Sequence, residues 1–294
     1  MNRFLYAILF IPAFLLALLP FRILFLVSDF FFLIIYYIVR YRRKLVYKNL
    51  IHVFPDKTPA EIRKIEKKFY RHFCDYFVET IKLLHISGSE MKKHFVFINT
   101  EHVQNFLDKK QPVVLLLGHY GNWEWITSFM LYLKDDSNTI FGQVYRPFKN
   151  KIFDRFILRL RNSFHSISFT KHSIYRDIVN FRKENKNWII GFMSDQKPSG
   201  NQVPHRMLFM NQETDVLTGT EKIARKTGAA VFYLEISYLK RGYYEVNPYL
   251  ITDNSIKTSE FEITEKFIHC LEKTIQRYPP AYLWTHNRWR LNNK

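Results

Sequence analysis

At 294 residues, 47% of them apolar and with a formal net charge of +18, the chain can hold one large α/β domain plus an extension and fill its core. Its two cysteines, Cys74 and Cys270, have no ligand-type spacing, and no C-x2-C or H-E-x-x-H cluster occurs, which points to a reducing compartment and no bound metal. The G-x-S-x-G elbow, the G-x-x-x-x-G-K-[ST] loop and the G-x-G-x-x-G turn are all missing, so serine-hydrolase, nucleotide-hydrolysing and dinucleotide-binding classes lack their anchors.

Residues 4–39 are almost wholly apolar, with Arg22 and Asp29 the charges inside them. As one helix they would measure roughly 54 Å against a hydrocarbon core of about 30 Å. Pro12 and Pro20 argue against one straight span. The expectation is a membrane anchor over residues 1–39, either one span with an interfacial continuation or a shallow re-entrant pair. A cleaved signal peptide fits less well, because the stretch is too long and no small-residue cleavage site follows. Arg40-Tyr-Arg-Arg-Lys44 comes next and, by the positive-inside rule, places the remaining domain, residues 40–294, on the cytoplasmic side.

Residues 40–93 hold 14 Lys/Arg against 6 Asp/Glu. Thr58-Pro59 with Glu61 forms a capping box for a helix reaching about Leu84. Ile62, Ile65, Phe69, Phe73, Phe77 and Leu84 follow helical spacing and leave Arg63, Lys64, Lys67, Lys68 and Arg71 exposed. Beside an anchor, such a basic amphipathic helix lies against anionic headgroups or packs its apolar face on the domain. Nucleic acid is the other standard partner for this charge, but no recognised nucleic-acid module is present and the anchor argues against it.

From residue 112 apolar strand-like runs alternate with helical stretches, the pattern of an α/β sheet flanked by helices. Strands are expected at 112–117, 139–145, 187–193 and 229–238, with a hairpin at Arg241-Gly242 returning through Tyr243 to Ile251. Helices are expected at 123–133, 149–162, 173–184, 216–227 and 259–277. The octapeptide GHYGNWEW, residues 118–125, ends the first of these strands and places His119 five residues before Glu124. The spacing alone means little: eleven His and 26 Asp plus Glu predict about one H-x4-[DE] match by chance, and His85/Glu90 and His172/Asp177 also fit. Only His119 follows a buried strand, with Gly118 free to turn the backbone. On a regular helix the two positions lie about 140° apart. They meet only if His119 precedes the helix and Glu124 sits in its first turn, where the carboxylate would orient a histidine general base. The alternative is a buried structural pair. Asn122 and Trp123, between them, are candidate substrate contacts.

Two further strand-end loops carry chemistry. Tyr145-Arg146-Pro147 leads into a helix bearing Arg155, Arg159 and Arg161, whose planar forks suit carboxylate or phosphate. Ser194-Asp195-Gln196-Lys197-Pro198-Ser199-Gly200 follows Trp188–Met193 and is read as a ligand-facing edge, or as a solvated turn.

With GHYGNWEW, YRP, SDQ, TGTEKIARKTGAAVF and YLWTHNRWR in this order, the whole chain closely resembles the lipid A biosynthesis late acyltransferases, the lauroyl and myristoyl enzymes of the lysophospholipid acyltransferase superfamily. The resemblance implies a glycerol-3-phosphate acyltransferase-like mixed α/β fold and an inner-membrane enzyme facing the cytoplasm. It implies transfer of an acyl chain from acyl carrier protein, with no other cofactor, to a hydroxyl on a lipid A precursor. His119 would be the base and Glu124 its orienting partner. An arginine of the helix after YRP and the aspartate of the D-Q loop are also needed in the family, which points to Asp195 with neighbouring Gln196. Both Arg159 and Arg161 fit the arginine, and Arg161 is preferred because it stands just before Asn162 at the helix end. Where the family commonly has an aromatic pair and glycine after that loop, this chain has Phe209-Met210-Asn211; asparagine tolerates a left-handed turn, but the acyl or acceptor pocket is altered. An acyltransferase for another lipid acceptor, or a non-enzymatic lipid-binding protein, are the competing readings.

Overall fold

The computed structural model describes residues 3–134, 136–198 and 205–289. The apolar N-terminal stretch is not one rod. Helix α1 (Arg3–Leu18) contains Pro12 without ending, and the chain breaks at Pro20 before α2 (Phe21–Leu33), which continues as a π-helical segment to Val39. Phe21–Val39 is long and apolar enough to cross a membrane. The basic cluster supplies the turn into α3 (Arg43–Val53), with Arg40 and Arg42 both in the left-handed region.

Helix α4 (Pro59–Lys82) begins at the expected capping box, in which Thr58 Oγ1 accepts from the Glu61 N–H and Glu61 Oε2 accepts from the Thr58 N–H at 2.8 Å. Arg63, Lys64, Lys67, Lys68 and Arg71 are exposed, as their spacing requires. Its buried side is broader than the apolar pattern suggested. Ile62 and Phe69 are buried and Phe77 is exposed, while Glu66, His72, Asp75 and Glu79 are all buried. A buried acid must find a partner. Glu66 meets Arg43 at 2.8 Å, and Asp75 accepts from Ser28 of α2 and from Arg241. Helix α4 is therefore an internal strut with polar fastenings, and only its first half presents the basic face.

The sheet follows. Helix α5 (Gly88–His94), strand β1 (Phe95–Phe97) and α6 (Glu101–Asp108) precede β2 (Val113–Leu117). The stretch expected as an α-helix at 123–133 is a 3-10 helix, Trp123–Tyr132. Then come β3 (Thr139–Tyr145), α7 (Lys151–Arg161), β4 (Ile167–Thr170), α8 (Ile174–Lys183) and β5 (Asn187–Met193). A hairpin of β6 (His205–Phe209) and β7 (Gln212–Val216), α9 (Gly219–Thr227), the long pair β8 (Ala230–Lys240) and β9 (Tyr243–Thr252), and α10 (Glu262–Arg277) complete the described chain. The seven-stranded sheet runs β1-β9-β8-β2-β5-β3-β4, parallel except where β8 meets β9, so it is the expected mixed sheet. Every residue of β2 is buried, because β8 and β5 flank it and helices cover both faces.

The short strands β1 and β4, the β6–β7 hairpin, and helices α3, α5 and α6 were not anticipated. The hairpin turns on Met210 (φ 53°) and Asn211 (φ 61°), so Asn211 does adopt the left-handed conformation expected of it.

Asp75 joins three elements, and its removal tests that role. Asp75→Ala leaves Ser28 without its acceptor and Arg241 with Asp29 and the Phe25 carbonyl, and should cost about 1.5–3 kcal/mol, read as a lower urea midpoint in detergent.

Candidate active site

Strand register builds the site. In the parallel β2–β5 pair Leu117 lies opposite Met193, and the Ser194 N–H donates to the Leu117 carbonyl at 3.1 Å. His119 and Asp195 each stand two residues beyond that last pair, so both emerge at the carboxyl end of adjacent strands, where open α/β sheets place their ligands. The Asp195 carboxylate takes His119 twice: Oδ2 accepts from its backbone N–H at 3.0 Å and Oδ1 meets its ring Nδ1 at 2.6 Å. Asp195 is almost fully buried, and the His119 side chain is 16% exposed. Burial opposes ionisation of Asp195, yet the charge and hydrogen bonds of His119 outweigh it and hold the carboxyl below its usual range.

This corrects the expected pairing. Among the described residues no hydrogen bond joins His119 to Glu124. Glu124 instead receives a two-pronged bond from Arg161, Nε to Oε2 at 2.7 Å and Nη2 to Oε1 at 2.6 Å, with Tyr76 Oη donating at 3.3 Å. Against the burial that opposes it, Arg161 keeps Glu124 below the ordinary carboxylate range, and Glu124 raises Arg161 in turn. The 3-10 winding puts Glu124 in the first turn, as anticipated, but aims it at α7 rather than back at the histidine.

The two arginines offered by the sequence separate. Arg161 enters the site, whereas Arg159 is exposed and lies 5.2 Å from the Phe10 ring on α1. Arg146 is exposed and takes no part in these contacts. Gln196 stands at the site, its Nε2 3.1 Å from His119 Nε2. Trp123 packs its ring against His119 at 5.1 Å and stacks on Tyr76 at 4.1 Å. Asn122 is fully buried and donates to Glu79 of α4 at 3.0 Å, so it braces the loop. Gly118 has no positive φ; the left-handed residue is Gly121 (φ 60°), while a Cβ on Gly118 would come within 2.5 Å of Leu271 on α10. Ser199 and Gly200, at the end of the D-Q loop, and Arg290 of YLWTHNRWR lie outside the described residues. Also among the described residues, no group of three or more His, Cys, Asp or Glu converges as a metal site requires.

A model for the bacterial lipid A biosynthesis acyltransferases matches residues 2–291. The chain belongs to that family. It is 23% identical over 251 residues to the lipid A biosynthesis palmitoleoyltransferase of Escherichia coli (strain K12), a match spanning 85% of this chain and 79% of that one. The lipid A biosynthesis acyltransferase of Shigella flexneri matches with the same figures.

In this family member two supports of the site went unrecognised in the sequence. One is the C-terminal YLWTHNRWR segment, quoted for its resemblance alone. The Leu283 N–H donates to the His119 carbonyl at 3.0 Å and the Gly121 N–H to Ala281, so residues 281–283 grip the histidine loop from outside. Behind them Arg288 is buried, with its guanidinium over Phe209 and its charge lowering the Asp195 pKa. The other support is the polar side of α4. Glu79 Oε2 accepts from Asn122 and, at 2.9 Å, from Tyr244, and its carbonyl accepts from Trp125 Nε1. A period-2 or period-3.6 search finds apolar faces and passes over such residues. Glu79 was the signal available: an acid on the inner side of a helix.

Burial, with Asp75 nearby, pushes the Glu79 carboxyl up to about 8, and its Oε1 is buried without a partner among the described residues. An unfolded glutamate ionises near 4.5. Between those values the unfolded chain releases a proton that the folded chain keeps, so this group lowers stability as pH rises through the window. Glu79→Gln keeps an acceptor for Asn122 and Tyr244. The difference in Tm between variant and parent should therefore grow in the variant's favour from pH 5 to pH 8; a constant difference would show that Glu79 is ionised in the fold.

Proposed function

We propose that the chain transfers a fatty acyl group from acyl carrier protein to a hydroxyl of a lipid A precursor, at the cytoplasmic face of the bacterial inner membrane. The observation that carries the chemistry is the hold of Asp195 on His119 Nδ1. With Nδ1–H donated to the carboxylate, Nε2 keeps its lone pair and is the basic atom. The Gln196 amide donates to it at 3.1 Å. An acceptor hydroxyl takes that place, gives its proton to Nε2 and attacks the thioester carbonyl. The tetrahedral intermediate then expels the carrier thiolate, which recovers the proton from the imidazolium. Asp195 stabilises that imidazolium.

The oxyanion needs donors. The Gly121 N–H is spent on Ala281, so it is not one of them. The displaced Gln196 amide stands beside the reacting hydroxyl, and Arg161 has an Nη1 left over from its two bonds to Glu124. Glu124 acts by fixing Arg161 and, through Tyr76 and Trp123, the ring packed on His119. No acyl-enzyme is needed, since attack is direct.

His119→Ala and Asp195→Asn should each lower kcat at least about 100-fold in an assay with acyl carrier thioester and lipid A precursor, because a neutral amide in place of the carboxylate lacks the charge that supports the imidazolium. Glu124→Ala and Arg161→Lys should lose comparable activity, whereas Arg159→Lys, which retains its cation beside Phe10, should keep most of it. Full activity of His119→Ala would dismiss the base assignment, and loss of a different lipid's acyl chain in cells lacking the gene would reassign the acceptor.

Acidic carrier protein and anionic precursor both suit a chain of net charge +18. The apparent KM for acyl carrier protein should rise several-fold between about 50 mM and about 300 mM salt. A flat response would assign the charge to the membrane alone.

A further inference from the structure

The N-terminal helices have two faces of opposite character. Along α2 and its π-helical continuation the inward positions Phe21, Leu24, Ser28, Phe32 and Tyr36 are buried, while Leu26, Phe30, Leu33 and Ile38 are exposed. In α1, Ala13 and Ala17 are buried, and Phe4, Ile8, Ile11 and Leu15 are exposed. Cations from the rest of the domain line the inner seam and its exposed edge. In order along α2, Lys82 lies 5.5 Å from the Phe21 ring, Arg241 4.6 Å from Phe25, Arg71 5.3 Å from Phe32, Arg43 4.0 Å from Tyr36 and Lys67 5.8 Å from Tyr37. On α1, Arg155 and Arg159 of α7 stand over Tyr6 and Phe10.

Polar bonds fix the same seam. Arg241 pairs with Asp29 and Asp75 at 2.8 and 2.7 Å, and Ser28 donates to Asp75 at 2.6 Å. Lys82 Nζ donates to the carbonyls of Ala17 and Leu19, where the chain bends between the two helices.

From Phe21 to Tyr37 this row of cations covers about 24 Å of helix axis, nearly the whole of the stretch that could cross a bilayer. A crossing α2 would carry Lys82, Arg241, Arg71 and the Asp29 and Asp75 carboxylates into hydrocarbon, or else strip them from it. Each such charge is costly there and the costs accumulate. Lying flat removes the conflict: the outer side chains enter the acyl region and the cations sit near the depth of lipid phosphates.

We propose that α1 and α2 form a monotopic raft on an anionic lipid leaflet, with residue 3, the bend at Leu19 and the catalytic domain all on one side of the membrane. The proposal rests on the membrane reading above and specifies its geometry. Because α7 carries Arg155 and Arg159 on the raft and Arg161 in the site, the raft also sets the height of His119 above the leaflet.

The test uses the full chain with Cys270→Ser, leaving Cys74 buried, and single cysteines at three exposed positions, Arg3→Cys, Leu18→Cys and Arg40→Cys. Spheroplasts and inverted membrane vesicles are treated with a membrane-impermeant maleimide. Arg3→Cys and Arg40→Cys should react in inverted vesicles alone, and Leu18→Cys should stay unreacted in spheroplasts. Labelling of both Arg3→Cys and Leu18→Cys in spheroplasts would establish one span through α2, and labelling of Leu18→Cys there without Arg3→Cys two spans; either overturns the raft while leaving membrane attachment intact. Recovery of the chain in the soluble fraction, as a monomer or as a dimer hiding the apolar face, would overturn the membrane reading itself. Retained acyl transfer in each variant confirms that the labelled protein is folded.

Discussion

The double grip of Asp195 on His119 is the constraint around which the rest of the molecule is arranged. It needs β2 and β5 to be neighbours, parallel and in register, so that positions two beyond Leu117 and Met193 come level. A one-residue slip would turn one of the two side chains to the opposite face of the sheet. The central, fully buried run of β2 is what secures that register, since each large apolar side chain it buries contributes about 1.5–3 kcal/mol. The His119–Asp195 geometry is thus held by core packing several residues away from the pair.

Two carboxylates lie near one imidazole, and they are kept distinct by what else they touch. Arg161 engages both oxygens of Glu124, so that charge is already compensated. Asp195 is left to hold the imidazole. An imidazole between two uncompensated carboxylates stays protonated and cannot act as a base. The separation of partners requires α7 to deliver Arg161 to within reach of the 3-10 turn. Gln143 on β3 accomplishes part of this by donating to the Arg161 carbonyl at 2.8 Å.

What could be read from the residues follows the physics that periodicity reports. The run Val113–Leu117 and the run Asn187–Met193 are continuous and apolar because both faces are covered, and their ends fall within a residue of expectation. Thr58, Pro59 and Glu61 declare a helix start because capping is local chemistry. Tertiary choices were not legible in this way. Nothing in residues 118–125 says that His119 takes its carboxylate from a loop 76 residues on, because spacing along the chain encodes only local partners. The short strands β1 and β4 have too few residues to show alternation, and they exist because β9 and β3 offer edges to them. Resemblance brought Asp195 and Arg161 into view as needed groups; geometry assigned each its partner.

The same distinction explains α4, where an apolar-face reading was incomplete. Its first half behaves as an amphipathic surface helix, with Lys64, Lys67 and Lys68 in solvent. Past Phe69 it is enclosed by α2 on one side and by the histidine loop on the other, so its polar residues become fastenings. Asp75 ties it to α2 and the β8–β9 hairpin, while Tyr76 and Glu79 tie it to Glu124, Asn122 and Tyr244. A purely apolar face would slide along either neighbour, since apolar contact has no direction. Hydrogen bonds from Asp75, Tyr76 and Glu79 fix rotation and translation together. One helix thereby links the apolar N-terminal pair to the loop carrying His119, so the positions of both are set by a single rigid element.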